Sequence, residues 1–224
     1  MSDQGILTGP EIVREVLAGN IFIEGFDPTC LESDDDSLVN PASYDLHLGD
    51  RVAVYKEVVG AHGLSGYPLI DSELMEVQNS GGRTLTRDPT GVLDSRTQND
   101  VHEFTMSPEI GWELQPGIGY LMHTKEAVHT DKYVPIIEGK SSIGRLFVTI
   151  HDTAGFGDPG FDGEYTLEVS STHRVILYPG MRICQIRFNT KVGKHLGYNG
   201  NYTGKSARGP VPSRSWRQFK KPVG

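Results

Sequence analysis

No stretch of this chain approaches the ~18–20 consecutive apolar residues of a membrane-spanning helix, and the opening MSDQGILTGPEIVREVL lacks the basic-then-apolar order of a signal peptide. A cytoplasmic chain without membrane association is the expectation. Cysteine is nearly missing: Cys30 and Cys184 stand far apart, too few for a disulfide framework or a multi-cysteine metal site, so both read as small buried apolar residues. Acid is wholly absent from the last quarter. Residues 169–224 hold eleven Lys and Arg and no Asp or Glu, which leaves all 29 acids and ten bases in residues 1–168, net charges of +11 and −19. The basic quarter calls for an anion. It contains no long basic run, and the acidic remainder repels a polyanion approaching broadly, so a small polyphosphate or the acidic face of a neighbouring subunit fits better than nucleic acid.

What is present is a globular composition, 37% hydrophobic and 22% charged over 224 residues, enough for a single domain over 1–224 with its own core. One helix is predicted near the start. Thr8 and Glu11 have capping-box spacing, Pro10 falls in the first turn, Ile12, Val13, Val16 and Leu17 form an apolar stripe, and Gly19 can end it. Almost everything afterwards reads as strand. In SYDLHLGDRVAVY, Tyr44, Leu46 and Leu48 alternate with Asp45, His47 and Gly49, and GWELQPGIGYLMHT, LFVTIHD, EYTLEVS and RVILYPGMRICQIRF behave alike. Pro-Gly pairs at 116–117 and 179–180 mark turns. The pattern predicts a mostly antiparallel β-barrel or sandwich, with a polar excursion at 57–105 and an irregular basic tail at 189–224.

Three segments carry candidate chemistry. EGKSSIGR, residues 138–145, sets Lys140, Ser141, Ser142 and Arg145 around two glycines, donors suited to an anion; it lacks P-loop spacing and by itself reads first as a polar turn. Asp158 lies in Asp-Pro-Gly, a common turn. Glu168 interrupts a strand on which Tyr165, Leu167 and Val169 face one way and Thr166, Glu168 and Ser170 the other. It reads equally as a solvated strand position or as an acid lining a pocket, where burial raises its pKa and makes it a proton shuttle. The eight histidines show no metal-ligand spacing, and neither His-x-Glu nor Pro-Cys-x-x-Cys occurs, which excludes zinc-dependent nucleobase deamination. No Gly-x-Ser-x-Gly elbow supports a Ser-His-Asp hydrolase.

Five ordered motifs, NPASYDLHLGD, EGKSSIGR, HDTAGFGDPGFDGEYTLEVS, LYPGMRICQIRF and YNGNYTGK followed by RGPVPSR, resemble the dCTP deaminase branch of the dUTPase-like superfamily. The resemblance implies a distorted β-barrel or jelly-roll subunit with a short N-terminal helix, a homotrimer with active sites between subunits, and zinc-free deamination of dCTP. By the same resemblance Glu168 is the proton shuttle, Ser141 and the Ala154 carbonyl orient the water, and Arg145 lies beside glutamate and base. Lys140 and Ser142 match phosphate contacts, Asp158 the sugar pocket, and the backbone of Thr166 and Leu167 the reader of the pyrimidine edge. In the tail, Tyr198, Asn201 and Lys205 match phosphate contacts, with Asn201 at the family's usual lysine and Lys205 at its usual glutamine; Arg208 is a further candidate from charge alone. GKSSIGR and TAGFGDPGF are most similar to bifunctional members that carry dUTP on to dUMP. Mg²⁺ is expected on the triphosphate rather than in a protein cage, and dTTP as an inhibitor. Competing readings are a dUTPase without deaminase activity and a non-catalytic nucleotide sensor.

Overall fold

The structure is a computed structural model that describes residues 4–27, 37–57, 91–194, 196–198, 200, 202 and 208–219. The helix α1 spans Gly9–Leu17 with Pro10 in its first turn. Thr8 occupies the N-cap but makes no side-chain cap bond: Glu11 turns instead to Arg14, whose Nε donates to it at 2.9 Å, so the predicted capping box does not form. Ile12 and Val13 are buried, whereas Leu17 is 67% exposed. The inward position next to them belongs to Glu15, satisfied by Lys132 Nζ at 2.6 Å and Asn20 Nδ2 at 2.9 Å. Gly19, at φ 74°, ends the helix with its N–H on the Val16 carbonyl.

Among the described residues twelve strands follow: β1 Phe22–Ile23, β2 Val39–Asn40, β3 Ser43–His47, β4 Arg51–Tyr55, β5 Val101–Thr105, β6 Trp112–Leu114, β7 Tyr120–His129, β8 Tyr133–Gly139, β9 Val148–Thr149, β10 Asp162–Ser171, β11 Val175–Leu177 and β12 Arg182–Thr190. A four-residue helix α2, Ser141–Gly144, separates β8 from β9, and a 3₁₀ turn covers Ser215–Phe219. Every strand pair among the described residues is antiparallel. They form a six-stranded sheet ordered β5-β4-β7-β10-β9 with β1 on β7, a four-stranded sheet β2-β3-β12-β8, and the pair β11-β6. The mostly-β expectation is met, but the described strands make three sheets and no closed barrel. The two larger sheets share one core, in which Leu46, Ile186 and Phe188 meet Met122, Leu167 and Val169, and the single bridge Leu48↔Thr124 stitches them where β3 leaves its sheet.

Both Pro-Gly pairs make the expected turns, with Gly117 at φ 81° and Gly180 at φ 80° closed by Ile118 N–H to Gln115 and Met181 N–H to Tyr178. β5 pairs along its length with β4, so the end of the predicted 57–105 excursion is a strand of the main sheet; residues 58–90 lie outside the described residues. The alternation read for β3 fails at Asp45, which is 1% exposed. β2 and β12 flank β3 on both edges, and the charged ends of Lys140 and Arg182 close over the face where Asp45 sits.

Candidate active site

β10 pairs with β7 from Asp162↔His129 to Val169↔Tyr120, with an irregularity between Glu164 and Thr166. That bulge breaks the strict alternation expected for EYTLEVS. Leu167 and Val169 point into the core as predicted, while Tyr165 joins Thr166 and Glu168 on the wall of a cavity of about 450 Å³. The cavity also takes Ala154 and Asp158 from the loop before β10 and Tyr198 from the tail. Five predicted site residues therefore converge: Ala154, Asp158, Thr166, Glu168 and Tyr198. Leu167 reaches this place through its backbone only, its side chain being core.

The predicted turn at Asp158-Pro159-Gly160 is present, closed by Phe161 N–H to the Asp158 carbonyl at 3.1 Å with Gly160 at φ 90°. Pro159 in turn accepts the N–H of Tyr198 at 3.2 Å, which brings the tail to the cavity. Phe161 packs on Tyr165 at 4.8 Å between ring centroids and meets Tyr198 edge-on at 6.0 Å. The result is an apolar, aromatic wall with a few polar groups set into it, the usual makeup of a site for a flat organic ligand.

Glu168 is half-buried, and its Oε2 is closed to solvent with no hydrogen-bond partner among the described residues. Burial raises its carboxyl above the ordinary glutamate range; its own backbone N–H and nearby His151 oppose this in part, and Asp152 adds to it. The same carboxyl also lines a second cavity of about 380 Å³, bounded by Asp152, Ser170 and the backbone at Gly117–Gly119. Glu168 thus lies between two cavities and lines both.

Lys140, Ser141, Ser142 and Arg145 line neither cavity. Lys140 ends β8 and precedes α2; its ammonium contacts Asp45, which also accepts from Asn40 Nδ2 at 2.8 Å and has the Arg182 guanidinium 3.7 Å away. Ile143 anchors α2 in the core, leaving Ser141, Ser142 and Arg145 exposed. Beyond them Leu146 and Phe147 are 46% and 61% exposed, and Phe147 holds a left-handed φ of 57°, a strained conformation for an aromatic residue. Asn201 and Lys205 lie outside the described residues. Arg208, chosen for its charge, bonds to Glu24 at 2.6 Å and Glu164 at 3.2 Å.

Sequence reasoning missed four participants. Tyr55 lines both cavities, Val211 and Ser213 close one side of the larger, and Glu164 ties that segment down. RGPVPSR was visible as a motif, but nothing local signalled which groups it meets.

Fold and site together define a β-protein with a half-buried carboxyl at an aromatic pocket. Residues 6–191 match the family model described as dCTP deaminase-like. A relative from Clostridium beijerinckii named dCTP deaminase, dUMP-forming, is 34% identical over 217 residues, covering 96% of this chain and 99% of the relative. One of the same name from Leptospira biflexa is 36% identical over 217 residues, with the same coverage. The chain belongs to the dCTP deaminase-like family. Among solved structures, that of 2'-deoxycytidine 5'-triphosphate deaminase from Agrobacterium tumefaciens aligns with a TM-score of 0.52 at 23% identity, over 84% of this chain and 47% of that one; this chain spans about half its length, and the likeness concerns the fold.

Proposed function

We propose that this chain deaminates dCTP by hydrolysis and carries the dUTP formed on to dUMP and pyrophosphate. The single observation that carries the reading is Glu168, a half-buried carboxyl of raised pKa on the wall of the aromatic cavity. In the first step a water adds to C4 of cytosine. Glu168 takes its proton and returns protons to N3 and to the departing amine, so that dCTP and water give dUTP and ammonia. The Ala154 carbonyl and the Ser141 hydroxyl orient the water, and Arg145 orients glutamate and base. Asp158 receives the sugar, and the backbone at Thr166 and Leu167 reads the pyrimidine edge. Lys140, Ser142, Tyr198, Asn201 and Lys205 contact the phosphates. In the second step a water attacks the α-phosphorus of dUTP, the bond from that phosphorus to the α,β-bridging oxygen breaks, and the β- and γ-phosphates leave as pyrophosphate while dUMP remains. Mg²⁺ enters as part of the substrate; among the described residues no three His, Cys, Asp or Glu group together as a cage.

The same reading makes the active enzyme a homotrimer. The Ser141, Ser142 and Arg145 side chains face solvent and line neither cavity that Glu168 borders, and the exposed, strained Phe147 beside them supports a segment that completes a neighbour's site. dTTP, which lacks the exocyclic amine, fits the same pocket as an inhibitor. The setting we propose is the cytoplasm; no helix among the described residues is long and apolar enough to cross a membrane.

Incubation with dCTP and Mg²⁺ followed by ion-exchange separation tests the reading. Accumulation of dUMP is the expected result; accumulation of dUTP would end the second step, and unchanged dCTP would overturn the proposal.

A further inference from the structure

Residues 208–214 cross one side of the nucleotide cavity without joining any strand. Pro210 and Pro212 have no N–H and favour an extended backbone around them, so the backbone donors from 209 to 213 are Gly209, Val211 and Ser213. Each is taken by a side chain. Gly209 donates to Glu164 Oε2 at 2.5 Å, Val211 to Thr166 Oγ1 at 3.1 Å and Ser213 to Tyr55 Oη at 2.8 Å. Arg214 N–H continues the series to Tyr202 Oη at 2.7 Å, and Ser215 Oγ reaches the Ser95 carbonyl at 3.1 Å. Val211 and Ser213 present themselves to the cavity. The strap is therefore held across the cavity by contacts within one chain.

Glu164 stands apart among these acceptors. It is 9% exposed, and a carboxylate so enclosed is costly unless its oxygens are satisfied. Most of that satisfaction comes from the strap: Arg208 reaches Oε1 at 3.2 Å and Gly209 reaches Oε2. From the sheet side, His123 Nδ1 lies 2.7 Å from Oε2. The His123 Nε2 accepts the Arg51 N–H at 3.2 Å, which fixes the proton on Nδ1, shared between Glu164 and the Thr124 carbonyl. Gly209 itself holds φ 82°, and an added Cβ would fall 2.1 Å from the Arg51 guanidinium. Removal of the strap leaves the Glu164 carboxylate, among the described residues, with His123.

We propose that Glu164, backed by His123, is a positioning residue that anchors the Arg208–Arg214 strap across the pocket in the ligand-free enzyme. It acts through the strap rather than by touching reacting atoms. Hydrogen exchange by mass spectrometry on the full chain, without nucleotide, tests this in Glu164→Gln and, because a buried substitution can perturb folding, in Arg208→Gln as well. Peptides covering 209–214 should exchange about tenfold faster in either variant while β7 and β10 keep their protection. Should Glu164→Gln loosen the whole sheet, selective loss in Arg208→Gln still supports the anchor. Unchanged exchange at 209–214 in Arg208→Gln, or in a folded Glu164→Gln, overturns it. Only a kinetic arm rests on the dCTP reading. In it Glu164→Gln raises KM for dCTP several-fold with kcat little changed, whereas a fall in kcat at constant KM contradicts a positioning role. If wild type turns over no dCTP, the proposed function fails and the exchange result stands.

Discussion

Two regions carry the motif residues, and they differ in nearly every physical respect. Around β10, Asp158, Thr166, Glu168 and Tyr198 face a concave, aromatic cavity in which a carboxyl is held partly out of water. Around α2, Ser141, Ser142 and Arg145 stand in solvent, on a segment anchored by Ile143 and by the contact of Lys140 with buried Asp45. The first region is a recess that a ligand can fill. The second is a protrusion with polar groups at its tip and apolar Leu146 and Phe147 at its flank. A recess and a protrusion from one sequence suit an assembly in which copies complete one another.

The strongest way to separate the regions is Glu168→Gln. Loss of the general acid-base should lower deamination by about 10³-fold or more while nucleotide affinity, measured by calorimetry, stays within a few-fold; retained turnover would remove Glu168 from the chemistry. On the other side, Lys140→Met strips the nearest cation from Asp45. With the carboxylate buried, the urea midpoint should fall by the equivalent of about 3 kcal/mol, and KM for the triphosphate should rise; an unaltered midpoint would mean that Arg182 and Asn40 suffice for Asp45. A smaller effect is expected from Tyr55→Phe, which removes the acceptor of the Ser213 N–H and should cost about 1 kcal/mol in nucleotide affinity. The smallest concerns pH. Because burial raises the Glu168 carboxyl, the native state holds this proton more tightly than the unfolded chain. Its contribution to stability is full at acid pH and is lost as pH rises through the folded value. Thermal melts should accordingly show wild type falling behind Glu168→Gln as pH rises above the ordinary glutamate range, and a constant gap would contradict the burial of this carboxyl.

Local chemistry was legible in the sequence and long-range chemistry was not. Pro116-Gly117 and Pro179-Gly180 were readable because a fixed proline φ and a left-handed glycine define a turn within four residues. Glu168 was readable as an acid inside a strand. Glu164, four residues earlier on the same strand, carries no local signal of its role; its burial arises from His123 and from a strap 45 residues away in sequence. Asp45 failed for a similar reason, since alternation assumes a solvated face, and that face is closed by Lys140 and Arg182. Thr8 and Glu11 had capping spacing, but Arg14 one turn on was the better partner for Glu11. The bulge at Tyr165 left no trace in composition, being a matter of register between β10 and β7.

The division of the site between copies is tested most directly by mixing inactive chains. Glu168→Gln and Arg145→Ala are prepared separately, each expected to be inactive, then co-refolded and assayed with dCTP. If a site takes Glu168 from one copy and Arg145 from its neighbour, random assembly regenerates intact sites and recovers about a quarter of the wild-type rate. A mixture as inactive as its two parents would place Glu168 and Arg145 in the same copy's site and contradict the shared one.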